Sequence, residues 1–358
     1  MKFVKYLAIS ALSLSLAGVM TACDEDPTIN WEWDGGKTEE PTPEPEPEPT
    51  PGDSTQTPQD TIPTPEPAPE PTPDFYVEKG WTNVGTEYGE LPEHIAVYSS
   101  PATFGEKSIK AYIAVADAAA AKFDVLGDAK GYKTPTNFYE AAAQTIIING
   151  GFFWDGSSLS LVWRDGKLVC PNVQVDSPDW SSTYYYMPRG TFAQKEDGSY
   201  FTGWTYTTTS NKTYWYPTSM PLESGKIPSL TYPAGGCEFA AKTAVGGGPV
   251  LVLNDSIVNS HEDEYLLINP ISNRPRTAIG LDSDNNKLIF FVCEGDGMTE
   301  GIAGLTLQDV AELLLDLGCN EALNLDGGGS SCMLVNGKET IKPSDGKQRS
   351  VINGVALN

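Results

Sequence analysis

Apolar residues along this chain recur with period two far more often than with period 3.6, which is the pattern of pleated strands. Runs at 109–116, 145–149, 159–164, 200–207, 249–253, 277–281, 287–293, 322–325, 332–335 and 351–356 are short and mostly rich in β-branched or aromatic residues. Each is read as a strand. Turn signals separate many of them, among them Arg164-Asp165-Gly166, Asp197-Gly198 and Asn336-Gly337, where the residue types accept left-handed backbone. Two stretches read as helices. One covers about 137–144, is rich in alanine and runs straight into the strand at 145. The other covers 307–317, where Leu307, Val310, Leu314 and Leu317 share one face and predict packing against a sheet. Thr306 and Asp309 form a capping-box pattern, and Gly318 suits the position after the helix. The expected class is α+β (mixed α/β), a strand-rich mixed sheet with few packed helices. Strand 287–293, helix 307–317 and strand 322–325 make one βαβ unit near the C-terminus, whose strands are expected to lie parallel in one sheet.

The N-terminal quarter departs from this pattern. Lys2 and Lys5 precede an apolar run at 7–19, shorter than the roughly 20 residues a membrane span needs and suited to a signal peptide. Met20-Thr21-Ala22-Cys23 resembles a bacterial lipobox, which implies a lipidated Cys23; an ordinary cleaved signal with a chance cysteine is the alternative. Residues 24–74 are read as a disordered Pro/Glu-rich acidic linker, because proline removes backbone donors and like charges extend the chain. As polyproline II, 41–73 would reach about 100 Å. The expected organisation is a lipoprotein signal at 1–23, the linker at 24–74 and one folded domain at 75–358. This predicts an exported protein, lipid-anchored to the bacterial cell envelope, with the leaflet and face left open.

Charge, cysteine and histidine narrow the chemistry. Residues 24–74 hold 15 acidic residues and one lysine, and so carry −14 of the net −25, leaving −13 on 75–358. So acidic a domain excludes nucleic acid as a partner. Cys170, Cys237, Cys293, Cys319 and Cys332 are odd in number and show no CxxC pair, so no disulfide framework is legible. His94 and His261 are the only histidines, which excludes a multi-histidine zinc site; no metal or cofactor is expected. Asp282-Ser283-Asp284-Asn285-Asn286 begins like a calcium loop, but Lys287 and Cys293 stand where glycine and a bidentate acid belong. It is read as a hairpin turn. Oligomeric state is not legible.

Four segments set glycine beside functional side chains: Asn149-Gly150-Gly151-Phe152-Phe153, Gly246-Gly247-Gly248-Pro249, Arg276-Thr277-Ala278-Ile279-Gly280 and Asn324-Leu325-Asp326-Gly327-Gly328-Gly329-Ser330. Glycine there permits sharp turns and close backbone approach. In this order, with the capped helix between the last two, the segments resemble the phosphodiester glycosidase family. The resemblance is strongest over 274–336, includes 149–153, faintly covers 246–250, and is not seen across 155–235. It implies hydrolysis of an α-linked sugar-1-phosphate diester, such as a GlcNAc-1-phosphodiester, to free sugar and phosphomonoester. The alternatives are a phosphodiesterase that cleaves the P–O bond and a non-catalytic glycan-binding lipoprotein.

Residue types fit that reaction. Arg276 offers a planar donor fork for phosphate, with a surface salt bridge as its bland reading. Asp326 is the first-choice carboxylate, as nucleophile or base; its bland reading is an Asx turn. Glu294 and Asp296, in Glu294-Gly295-Asp296-Gly297, are the second pair. Asn149, Gly150, Gly151, Thr277 and Asn324 are candidates for substrate binding, and amides of Gly327, Gly328, Gly329 and Ser330 for holding phosphate. Phe152 and Phe153 read more readily as core than as sugar-stacking rings. No histidine partners Ser330 or Ser331 in any visible motif, which argues against a serine triad. Trp180, Tyr184, Tyr185, Tyr186, Trp204, Tyr206, Trp215 and Tyr216 are either a sugar-stacking wall or cross-strand pairs.

Overall fold

Strand Lys287–Cys293 shows how alternation builds the molecule: Leu288, Phe290 and Val292 enter one core, Ile289, Phe291 and Cys293 another. Its neighbour Arg276–Asp282 does the same, with Ile279 and Leu281 on one side and Ala278 on the other. A sheet buried on both faces needs such unbroken apolar strands. The computed structural model describes residues 74–177, 182–220 and 223–358. The expected signal peptide, Cys23, the linker up to 73 and Trp180 lie outside the described residues.

These two strands sit inside an eight-stranded sheet, between Ala111–Asp117 and Glu321–Asn324. Helix Leu307–Asp316 covers one face; Leu307, Val310, Leu314 and Leu317 are all buried, and the Thr306–Asp309 capping box forms. Gly318 follows with φ 88°, the left-handed conformation that ends a helix cheaply only at glycine. The opposite face joins a core shared with two further sheets. A seven-stranded sheet supplies Phe192, Trp204, Tyr206 and Tyr216, and a five-stranded sheet supplies Ile146, Ile148 and Val355.

The molecule is strand-rich with few helices. One detail of the expected class is corrected and one is refined. Every strand pairing among the described residues is antiparallel, so the sheet is not mixed. Strands Lys287–Cys293 and Glu321–Asn324 run in the same direction in one sheet but are not neighbours: Arg276–Asp282 lies between them, antiparallel to each. The cause is the Asp282–Lys287 hairpin, closed by Asn285 N–H donating to Asp282 Oδ1 at 2.9 Å. It pairs Arg276–Asp282 directly with Lys287–Cys293, so the helical crossover to Glu321–Asn324 passes over the earlier strand.

The first expected helix also shifts, to Pro135–Ala141, because Thr134 caps it and Pro135 occupies its first turn. Trp204, Tyr206 and Tyr216 are core residues, and Tyr185 stacks on Tyr265 at 4.5 Å. These four are packing residues, while Tyr184 is exposed.

Candidate active site

Strand Glu321–Asn324 delivers the chain into Leu325-Asp326-Gly327-Gly328-Gly329-Ser330, and the buried side of this loop is fixed first. Asn149 Nδ2 donates to Asp326 O at 2.7 Å, while its Oδ1 accepts from Thr277 Oγ1 at 2.8 Å and from Cys332 N–H at 3.2 Å. Asp326 N–H donates to Gly150 O at 3.1 Å, and Gly151 N–H donates to Asn353 Oδ1 at 2.9 Å. A Cβ on Gly150 would lie 1.8 Å from Asn353 Oδ1, and one on Gly151 2.3 Å from Gly246 O. The glycines are therefore demanded by close packing. Asn149, Gly150, Gly151 and Thr277 do not line the cavity described next. The structure spends them on holding Asp326 from behind, which corrects their expected place among substrate contacts.

Gly246-Gly247-Gly248-Pro249 serves the same end from another side. Asn324 Nδ2 donates to Gly248 O and to Leu325 O, both at 2.7 Å, and Gly248 N–H returns a bond to Asn324 O at 2.8 Å. A Cβ on Gly247 would sit 2.4 Å from Asn324 O. With both amide hydrogens committed, Asn324 can offer only its Oδ1 acceptor.

On the other side of the loop lies a cavity of about 480 Å³. Asn324, Asp326 and Gly327 to Gly329 line it, together with Arg274, Arg276, Arg349, Asp296 and Asp345. Four of these charges are paired off. Arg274 Nη1 meets Asp296 Oδ1 at 2.9 Å, and Arg349 holds Asp345 Oδ2 through Nε at 2.9 Å and Nη2 at 2.7 Å. Arg276 and Asp326 have no ion-pair partner within 4.0 Å among the described residues.

Arg276 is nearly buried. Its Nε donates to Leu305 O at 3.0 Å, and its Nη2 to Asn269 O at 3.2 Å and Ser272 O at 2.9 Å. Of the five guanidinium donors, the two on Nη1 remain uncommitted. The surface salt bridge that was the bland reading of Arg276 is absent among the described residues.

Asp326 is the cavity carboxylate whose titration is shifted. Burial pushes its pKa up to about 6, against the opposing pull of the Ser330 hydroxyl, the Gly327 amide and Arg349. Gly327 N–H donates to Asp326 Oδ1 at 3.0 Å, so the Asx-type contact exists alongside exposure to the cavity. Amides of Gly328 and Ser330 are bound to Pro275 O and Gly327 O. Of the four amides expected to hold phosphate, only that of Gly329 has no partner in the described structure. Ser330 does not line the cavity.

Glu294 is corrected too. It is fully buried, with Oε1 accepting from Lys110 Nζ at 2.6 Å and Lys342 N–H at 3.1 Å. Burial alone would raise its pKa, but Lys110, Thr299 and the Lys342 amide together hold it below the usual carboxylate range. It anchors the start of the 342–350 loop instead of facing the cavity. Asp296 does face it.

Sequence reasoning missed Arg274, Asp345, Arg349 and the cavity side of Phe152. Arg274 was findable, since it stands two residues before Arg276 and i, i+2 side chains share a face in extended chain. Arg349 and Asp345 sit in a loop with no periodicity to betray them. A Cβ on Gly329 would lie 2.0 Å from Arg349 Nη2 and 2.5 Å from Asp345 Oδ2, so this pair lies directly against the third glycine.

A family model described as phosphodiester glycosidase matches residues 142–358, more than half of the chain. The match runs through 155–235, where the sequence itself showed no resemblance. The SPbeta prophage-derived uncharacterized protein YomE of Bacillus subtilis is 40% identical over 84 residues, 24% of this chain and 13% of that protein. Human N-acetylglucosamine-1-phosphodiester alpha-N-acetylglucosaminidase is 43% identical over 70 residues, 20% of this chain and 13% of that protein. The aligned stretch thus spans little more than an eighth of these relatives. Among solved structures, the catalytic domain of the zebrafish N-acetylglucosamine-1-phosphodiester alpha-N-acetylglucosaminidase superposes with TM-score 0.52 at 19% identity, covering 75% of this chain and 85% of that one. A hypothetical protein from Synechocystis superposes with TM-score 0.51 at 16% identity, covering 75% and 64%. These likenesses show a shared fold.

Proposed function

The chain belongs to the phosphodiester glycosidase family, and from that premise we propose that it hydrolyses an α-glycosyl-1-phosphate diester of the GlcNAc-1-phosphodiester kind. The observation that carries the reading is the single unpaired cation and single unpaired carboxylate, Arg276 and Asp326, lining one cavity. A phosphodiester brings one negative charge, which the free Nη1 donors of Arg276 and the free amide of Gly329 suit. Asn324 Oδ1 accepts from a donor on the sugar, a hydroxyl or an acetamido N–H. Asp326 is largely ionised above pH 6. It then attacks the anomeric carbon, or takes a proton from the water that does. The bond from the anomeric carbon to the phosphate oxygen breaks, its electron pair leaves with the phosphomonoester, and the sugar gains its hydroxyl from water. A phosphomonoester is a stable leaving anion, so no strong acid is needed opposite Asp326.

From the Met20-Thr21-Ala22-Cys23 segment we propose separately that the chain is anchored at the bacterial cell envelope through a lipidated Cys23, with the 24–74 linker as spacer. Incorporation of labelled palmitate that is lost in Cys23→Ser tests the anchor. For the activity, a synthetic GlcNAc-1-phosphate methyl diester is incubated with the protein. Free GlcNAc and methyl phosphate are expected; tight binding with the diester returned intact would make the protein a glycan binder instead.

A further inference from the structure

The three most exposed large apolar side chains among the described residues are Ile271 at 82%, Trp154 at 77% and Leu267 at 73%. Each stands within two residues of a side chain lining the Asp326 cavity: Asn269, Phe152 and Ile268. Scattered single apolar residues on a surface need no explanation, but convergence on one opening does.

Both rims are built to stay in place. Phe152 and Trp154 are two apart in extended chain and share a face, while Phe153 between them packs inward against the Phe138 and Ile147 cluster and edge-on to Tyr132. The hairpin carrying Trp154 turns at Asp155 and Gly156, with φ 46° and 73°. Its tip is tied down by Gly156 N–H donating to the Tyr132 hydroxyl at 2.8 Å and by Gly131 N–H donating to Gly156 O at 3.1 Å. In the 267–272 segment, Asn269 Oδ1 accepts from the amides of Ile271 at 3.2 Å and Ser272 at 3.0 Å. Arg276 Nη2 binds the carbonyls of Asn269 and Ser272, which bracket Ile271. The arginine assigned to phosphate therefore also fixes the apolar rim.

We infer that the cavity mouth receives an apolar aglycone: the substrate is an amphiphilic sugar-1-phosphodiester whose hydrocarbon chain leaves the phosphate across Trp154, Leu267 and Ile271. This rests on the phosphodiester reading of the cavity. Aliphatic Leu267 and Ile271 favour a hydrocarbon over a sugar ring, since sugar platforms are aromatic faces. The closeness of all three in the chain to side chains lining the arginine-bearing cavity favours a chain covalently joined to the phosphate over a bilayer docked elsewhere.

The test compares decyl and methyl diesters of GlcNAc-1-phosphate in the wild-type chain and in the triple variant Trp154→Ser, Leu267→Ser, Ile271→Ser. The wild type is expected to favour the decyl diester in kcat/KM by about tenfold, the equivalent of burying roughly two methylene groups. The triple variant is expected to lose that preference while keeping wild-type rates on the methyl diester. No preference in the wild type, or one that survives in the variant, overturns the inference, as does a mannosyl aglycone outperforming decyl. Should neither diester turn over, the phosphodiester reading fails separately, and calorimetry with decyl phosphate against methyl phosphate decides the rim by the same tenfold criterion. A last arm uses phosphatidylethanolamine and phosphatidylglycerol vesicles with the full chain carrying Cys23→Ser, so that no acyl group contributes. Vesicle binding that depends on the three residues, without a decyl preference, would reassign the rim to a membrane surface.

Discussion

Behind the 324–331 loop, every polar atom of the Asn149 side chain is spent on a neighbour and glycines stand where a methyl group would collide. In front of it, a carboxylate lies uncompensated by any ion pair and an arginine keeps two donors unused. The two sides come from the same short motifs, separated by a few ångströms. The rear is satisfied and rigid; the front is deliberately unsatisfied, and pays in stability for a charge held ready. Motifs of this kind record both demands at once, so a glycine or asparagine within them is as often scaffold as chemistry.

Substitutions on the two sides should separate in sign. Asp326→Asn is expected to cut turnover by about a thousandfold while raising thermal stability at pH 7, since it removes an ionised buried group. Asn149→Ala should do the reverse of the second effect. It strips the Asp326 backbone, Thr277 and Cys332 of partners and should cost about 3 kcal/mol of stability, seen as a lowered melting temperature. Arg276→Lys keeps the charge but loses the fork, and is expected to raise KM by roughly tenfold or more with kcat less affected. Equal melting temperatures for the Asp326 and Asn149 variants would erase the distinction between front and rear.

The smallest effect is with pH. Asp326 has its folded pKa raised to about 6, above an unfolded carboxylate near 3.9. The native state therefore holds the proton more tightly. This group's contribution to stability is complete at low pH and is lost as pH rises from about 4 through 6. Activity runs the other way: kcat/KM should climb about tenfold between pH 5 and pH 7 as Asp326 ionises. A flat profile would show that the ionised form is not the working one.

How far the sequence carried is clearest from particular residues. The capped helix at 307–316 was legible because its cap and the apolar face of Leu307, Val310, Leu314 and Leu317 are local signals. So was the 282–287 turn, where Lys287 ruled out a calcium loop. The strand order was not, because nothing in strands 287–293 or 321–324 encodes that 276–282 lies between them. Asp326, Arg276, Asn324 and Asp296 were named from motif chemistry and all line the cavity. Glu294 and Asp296 are separated by one residue, and only burial beside Lys110 tells the anchor from the group that faces solvent. Arg349 and Asp345 reach the site through a loop whose course no periodicity reports.

The most direct test of the central claim is hydrolysis of a GlcNAc-1-phosphodiester in ¹⁸O-water, with both products read by mass spectrometry. Cleavage at the anomeric carbon, with Asp326 as the acting carboxylate, predicts the label in the released sugar and none in the phosphomonoester. Label in the phosphate would mean attack at phosphorus, and would contradict the account.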